Sequence, residues 1–361
     1  MLPAGPATWA EVDRLRPEGQ AQYWRQMPNY WVGPADVDRA MTALVRHGRP
    51  HAAVDLAAMH VMRERRTTTD GAGSDDTEAD GSGTQGSEAE RAPTVSTDII
   101  AATLLAAVQV AEDSNGARSS GYELRTLFDA LDRAVARGEL DETEVARLEL
   151  LYLPALSNER TPTVLHRQLA RDPALFVEVV CLAYREEGLP ARDLSDGEAL
   201  SARLAYELLQ GWRALPGDPA NADGGDALGR WVRDARERLT QSNRRPIGDV
   251  LIGQVLSGSP GGADGAWPPE SVRNLIDDLR SEDLERGLWT GTFNQRGVVT
   301  KHPLAGGALE REIVARYEAD AASIAARWPR TAAMLRAFAA RYRDDARRED
   351  DEAELRHDLD V

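Results

Sequence analysis

One cysteine, Cys181, and one lysine, Lys301, stand in a chain of 361 residues. A single thiol closes no internal disulfide and builds no cysteine-rich metal site. Phenylalanine is scarce too, with four copies, so leucine, alanine and valine must supply the core. No uncharged apolar run reaches the roughly 20 residues of a membrane span. The opening MLPAGPATWAEVDRL lacks the basic-then-apolar order of a signal peptide, and a cytoplasmic location is expected. The nucleotide loops G-x-x-x-x-G-K-[ST] and strand-borne G-x-G-x-x-G do not occur, nor do H-E-x-x-H or G-x-S-x-G. Period-two apolar alternation is nearly missing as well. GVVTKH, 297–302, is the one place for a short strand.

What is present begins with acid. The net charge of −17 repels nucleic-acid phosphates and anionic lipid headgroups at long range, so neither nucleic acid nor membrane is an expected partner. Arginine replaces lysine almost throughout, which fits a high-GC bacterial genome. TTTDGAGSDDTEADGSGTQGSEAE, 67–90, holds seven acids and no Lys or Arg. Such a stretch buries too little apolar area to offset the entropy of ordering it. It reads as a disordered acidic linker, 67–96, between an N-terminal helical hairpin region, 1–66, and a main helical domain, 97–361.

Helical punctuation dominates the rest. Thr8, with Glu11 three residues on, has capping-box spacing. GPADVDRAMTALVRHG opens with Pro and closes with Gly, and a second helix restarts at Pro50. Val37, Met41, Leu44 and Val45 recur at helical spacing, as do Val54, Leu56, Met59 and Met62. Beyond the linker the same signals predict helices over 98–112, 121–137, 141–153, 161–171, 173–187, 197–211, 226–241, 246–257, 269–280, 282–289, 307–327 and 330–356. The expected class is all-α, as stacked helical hairpins in an irregular solenoid or a multi-helix bundle. No fixed repeat period emerges.

Candidate sites are few. Residues 291–311, GTFNQRGVVTKHPLAGGALER, hold four glycines, two arginines and Lys301. Gly306 and Gly307 precede a helix whose free N–H groups suit an anion, with Arg296, Lys301 and His302 nearby. Trp289, Asn294, Arg296, Lys301, His302 and Glu310 are therefore the candidate ligand or partner residues. A plain helix joint is the competing reading. DDLRSEDLE, 277–285, puts Asp277, Ser281 and Glu285 four apart, on one face if the helix is continuous. That spacing resembles the second magnesium motif of class I terpene synthases, and implies Mg²⁺ and a diphosphate. The companion aspartate-rich motif is missing; LFDALDRA offers only Asp129 and Asp132. A solvated acidic face is the ordinary alternative. The histidines lack ligand spacing and are expected as capping or partly exposed groups. Cys181, in LFVEVVCLAYREE, is expected buried and unreactive. Trp212, Trp231, Trp267, Trp289 and Trp328 fall near helix ends and suit helix crossings or a partner groove.

Longer phrases carry a further resemblance. LLYLPALSNERTPTVLHRQLARDPALFVEVVCLAYR, GADGAWPPESVRNLIDDLRSEDLERGLWTGTFNQRGV and GGALEREIVARYEADAASIAARWPRTAAMLRAFAARYRDDARRED resemble the helical C-terminal regions of long bacterial NTPase or effector proteins, some of them in antiphage conflict systems. YWRQMPNYW and LVRHGRPHAAVDL near the start share it. The resemblance implies a helical scaffold or sensor that works with a protein partner, an NTPase or effector subunit. It carries over no catalytic residue. A non-enzymatic module without cofactor is the leading expectation. A Mg²⁺-dependent diphosphate enzyme and an anion- or nucleotide-sensing module are the alternatives.

Overall fold

A computed structural model describes residues 5–27, 32–70, 95–109, 121–156, 159–188, 193–217, 224–297 and 306–359. Among them are seventeen α-helices, one 3₁₀ turn and no strand. The all-α class is what the chain adopts. The strand expected at GVVTKH lies, apart from Gly297, outside the described residues, and so does 71–94 of the acidic stretch. The chain divides into two compact units, Met1–Leu165 and His166–Val361.

The first unit holds α1 (Pro6–Val12), α2 (Pro17–Gln26), a 3₁₀ turn (Pro34–Asp36), α3 (Val37–Arg46), α4 (Pro50–Asp70), α5 (Thr97–Gln109), α6 (Gly121–Ala136), α7 (Glu142–Leu151) and α8 (Leu153–Leu156). α9 (Thr163–Arg171) contains the division. Proline opens α1, α2 and α4, where its missing N–H costs nothing. Thr8 is not the cap: Pro6 starts α1 one turn earlier, and Thr8 lies inside the helix. α3 buries Val37, Met41 and Leu44 of the expected stripe, with Ala40 beside them, while Val45 is only half-buried; it packs on α4, where Val54 and Leu56 are buried but Met59 is exposed. α4 in turn packs on α5 and α6. Helices from both sides of the acidic stretch thus share one core, whereas the sequence reading parts them at 67–96. The last linker residues belong to that core too. Val95 is 1% exposed, and the Ser96 N–H and hydroxyl both donate to the Asp38 carboxylate. Composition reports whether a stretch can fold, but it is silent on what the ends of that stretch pack against.

The second unit continues with α10 (Pro173–Ala183), α11 (Asp196–Gly211), α12 (Gly224–Gln241), α13 (Arg245–Leu256), α14 (Glu270–Leu279), α15 (Glu282–Gln295), α16 (Ala308–Ile324) and α17 (Pro329–Leu359). Its starts follow the chemistry of helix ends. Asp172 accepts the Ala174 N–H at 2.8 Å ahead of Pro173. Ser195 and Glu198 form a reciprocal capping box on α11. The helices do not all pair with their sequence neighbours. α16 packs along α17, but α13 packs chiefly on α15, and α10 touches both α11 and α12.

The crossing of α13 and α15 is set by glycine. A methyl group on Gly253 would sit 2.1 Å from the Leu284 carbonyl oxygen, and one on Gly287 2.0 Å from that of Val250. The two backbones touch because neither residue has a side chain. Asp249, buried in α13, braces the same region. Its carboxylate accepts two hydrogen bonds from Arg236 of α12 at 2.9 and 3.0 Å and one from the Ser281 hydroxyl at 2.7 Å.

Trp212, Trp231 and Phe176 form one aromatic cluster, with ring centres 5.1 to 5.8 Å apart. Trp212 and Trp231 therefore serve the core. His166 lies beside them and is 2% exposed; its carbonyl accepts the Trp212 indole N–H at 3.2 Å. His60 is also buried, so these two histidines depart from the partly exposed expectation. Cys181 departs the other way and is only half-buried. Burial pushes the His166 imidazole down to about 4 from its usual 6.5. The unfolded chain therefore takes up this proton at a higher pH than the folded one does. The neutral imidazole costs nothing above pH 6.5, and stability should fall as pH drops from about 6.5 to about 4. His166→Gln should flatten that part of the stability–pH curve, as measured by urea titration at half-unit steps.

Candidate functional site

The six residues singled out near 291–311 meet different fates. Trp289 packs against Phe338 and Tyr342 of α17, with ring centres 5.1 and 5.3 Å away. The Arg341 guanidinium lies 4.6 Å from the centre of its ring. Arg296 donates to the Glu310 carboxylate at 3.1 Å and lies 4.9 Å over the Tyr342 ring. Glu310 is buried on α16, so this ion pair braces α15 against α16. Asn294 is exposed on the last turn of α15. Lys301 and His302 lie outside the described residues. The start of α16, expected to attract an anion, already faces one from its own chain. The Gly307 N–H donates to the Asp350 carboxylate at 2.8 Å, and Arg311 to its other oxygen at 2.6 Å. That N–H and that guanidinium hold the Asp350 carboxyl below its ordinary range.

Asp277, Ser281 and Glu285 do not share a helix. Arg280 adopts a left-handed conformation (φ 48°) and separates α14 from α15. Asp277 accepts the Arg330 and Thr331 N–H groups at 2.9 and 3.0 Å, capping α17. The Ser281 oxygen caps α15 by accepting the Leu284 N–H, while its proton goes to Asp249. Glu285 pairs with Arg330 at 2.5 Å. The three are engaged in holding helix ends, and among the described residues no cluster of three His, Cys, Asp or Glu could hold a metal ion.

A different site emerges on the flank of the same helices, in a cavity of about 280 Å³. Three segments line it: the turn after α13 with Ser257 and Ser259, α15 with Thr292 and Gln295, and α16 with Arg316, Tyr317 and Asp320. Trp267 forms a wall. The aromatic seam joins the cavity to the residues read from sequence, since Tyr317 stacks on Tyr342 at 6.0 Å and meets Trp267 at 6.1 Å.

The wall is held firmly. Arg273 of α14, fully buried, donates to the Pro268 and Ala266 carbonyls at 2.5 Å each and to both oxygens of Asp264 at 2.6 and 2.8 Å. This grip holds the Asp264 carboxyl down to about 2. The Trp267 indole N–H donates to the Ser259 carbonyl at 3.1 Å. A loop rich in glycine and proline thus becomes a fixed surface.

The hydroxyl groups of the cavity have spent their protons. Ser257 donates to the Gln254 carbonyl at 2.6 Å, Ser259 to Leu256 at 2.6 Å and Thr292 to Leu288 at 2.7 Å. What they have left is acceptor capacity, part of which Ser257 already gives to the Gln295 amide N–H at 2.7 Å. Burial pushes the Tyr317 phenol up to about 12, so it remains a neutral O–H. Burial also raises the Asp320 carboxyl, against the opposing pull of the Trp267 backbone N–H and of the Arg316 and Arg273 charges.

A second, wider cleft of about 660 Å³ lies between Tyr184–Gly188 and the start of α13. Most of its polar groups are already matched. Arg244 donates to the Tyr184 and Ser242 carbonyls, Asn243 to Glu186, and Arg286 pairs with Asp283. The smaller cavity is the better candidate because Arg316 and Asp320 line it without an ion pair among the described residues and its hydroxyl oxygens keep some acceptor capacity.

Sequence reasoning missed this cavity. Nothing in SGSPGG, or in Arg316 and Asp320 four apart on a charged helix, marks either as part of a site. The available signal was a hydroxyl and an amide residue, Thr292 and Gln295, ending a helix whose other face is apolar. Among the described residues no helix is long and apolar enough to cross a membrane. Comparison of the chain with protein-family models, with curated proteins and with solved structures finds no match to any of them.

Proposed function

We propose that the protein is a non-enzymatic α-helical sensor module. It binds a small polar molecule in the cavity between α13, α15 and α16 and communicates with a protein partner. One observation carries this reading: hydrogen-bonding side chains from three separate elements converge on one pre-formed cavity beside an indole wall. Small-ligand sites have this construction, a mostly rigid concave wall with a few placed polar groups. A volume of about 280 Å³ lies at the lower end of such sites and suits a metabolite smaller than a nucleotide. The partner half of the proposal is supported by large apolar side chains left exposed on α10 and α11, Leu182, Leu200 and Tyr206. A bacterial NTPase-linked effector system, implied by the resemblance of the longer phrases, is the setting we propose for it.

Gly261 provides the test. It lines the cavity, and a Cβ added there would meet no atom within 4 Å. Gly261→Phe should therefore fill the cavity without disturbing the helices. Thermal denaturation against polar metabolites of several classes should show one class raising the melting temperature of the native protein. The same class should leave Gly261→Phe unmoved, while its circular dichroism stays native. A panel with no stabilising member would count against the reading.

A further inference from the structure

The geometry points to a small zwitterion, an α-amino acid or a close relative, as the ligand class of this cavity. The inference rests on the cavity being a binding site and goes on to the chemistry of its occupant.

Asp320 and Arg316 carry the argument. Both line the cavity from α16, one turn apart. Neither forms an ion pair with a described residue, or with the other. Elsewhere in this unit Asp249 is matched by Arg236, Glu310 by Arg296 and Glu285 by Arg330, while Asp277 is held by N–H groups and the Thr331 hydroxyl. The neighbouring cations Arg316 and Arg273 pull on the Asp320 carboxyl from beyond ion-pair distance, and a half-buried carboxylate in that position gains when a closer cation arrives. The Ser257, Ser259 and Thr292 hydroxyls have no proton to offer, so the lining around Asp320 is rich in acceptors. An acceptor-rich floor with a carboxylate suits an ammonium group, which brings three donors. The indole face of Trp267 adds cation–π attraction for the same group.

At the rim the charge reverses. Arg316 leans over the Tyr317 ring, its guanidinium carbon 5.5 Å from the ring centre. A guanidinium held against an aromatic face presents a flat fork that matches a carboxylate. One cation and one anion, a helical turn apart and not in ion-pair contact, are complementary to a molecule carrying an ammonium and a carboxylate on the same carbon. The spacing has a bland rival, in which Arg316 and Asp320 close on each other in solution. Basic-before-acidic order makes that helical pair the weaker one.

The experiment is calorimetry on the full chain with each of the twenty common L-amino acids, up to about 10 mM. For any that bind, the matching amine without the carboxylate and the acid without the ammonium are measured beside it. The expected result is saturable binding of at least one amino acid, weakened at least about tenfold for each truncated analogue. Asp320→Asn and Arg316→Gln, both of which keep hydrogen-bonding capacity, should each weaken it by a similar factor while the melting temperature stays near native. Absence of binding across the panel would overturn the inference, as would equal affinity for the amine or the acid, or indifference to both substitutions. If a polyol or another uncharged molecule binds and Gly261→Phe abolishes it, the zwitterion is wrong and the cavity stands. If nothing binds by either assay, both readings fall.

Discussion

Replacing Gly287 with alanine is expected to unfold the His166–Val361 unit at a far lower urea concentration than the native protein requires. Intrinsic propensity argues the other way. Alanine inside a helix is favoured over glycine by about 1 kcal/mol. The crossing decides the sign. The added methyl would lie 2.0 Å from the Val250 carbonyl oxygen, with the Val250 carbonyl carbon 2.8 Å away. These are backbone atoms in the middle of α13 and cannot rotate aside. The helices must separate, and Gly253, facing Leu284 in the same contact, moves with them. Overpacking of this kind costs about 3 kcal/mol or more when the neighbour cannot yield. Gly197 is the control. It lies in the first turn of α11, with no atom within 4 Å of an added methyl. Gly197→Ala should be neutral or stabilise by up to about 1 kcal/mol. Hydrogen exchange would localise the effect: Gly287→Ala should strip protection from α13 and α15 and leave α5 to α7 untouched. Equal stability of Gly287→Ala and the native protein would mean that α13 and α15 do not cross as described.

The same crossing explains the uneven legibility of the fold. Helix starts are local events. Asp172–Pro173 and Ser195–Glu198 announce themselves because a cap needs only its own few residues. The apolar stripes of α3 and α6 are equally plain, since one face recurs every three to four positions. Pairing is another matter. Gly253, Gly287 and Gly291 look like weak points in two helices, and their meaning appears only when α15 lies against α13. The break at Arg280 is likewise hidden, because the left-handed residue is an arginine, not a glycine or asparagine. Without that break, Asp277, Ser281 and Glu285 would share a face. With it, each serves a helix end. The cavity was the least legible feature of all. Its polar groups come from turns and helix faces about 60 residues apart, and nothing in their own neighbourhoods marks them as a set.

Arg160→Met is the second substitution expected to be severe, this time in the Met1–Leu165 unit. Arg160 has a side chain 6% exposed and lies between two acids, Asp132 at 2.7 Å and Glu149 at 3.0 Å. Glu149 is fully buried on α7, and its second oxygen accepts the Leu165 N–H at 2.7 Å. The guanidinium also rests on the Phe128 ring, 5.3 Å from its centre. Methionine keeps much of the packing volume but removes the cation. Glu149 then retains its buried position and loses the guanidinium. Breaking a buried pair from one side typically costs about 3–5 kcal/mol, more than a well-placed pair contributes in the first place. Two further variants separate the causes. Glu149→Gln keeps an acceptor for Leu165 and leaves Arg160 with Asp132, so it should cost only about 1 kcal/mol. In the double variant no uncompensated charge is left at position 149, so the combined loss should fall short of the sum of the single losses by about 1–3 kcal/mol. Additive losses would show that Arg160 acts through its contact with Phe128 and the surrounding helices, and that the buried charge is not what makes its removal costly.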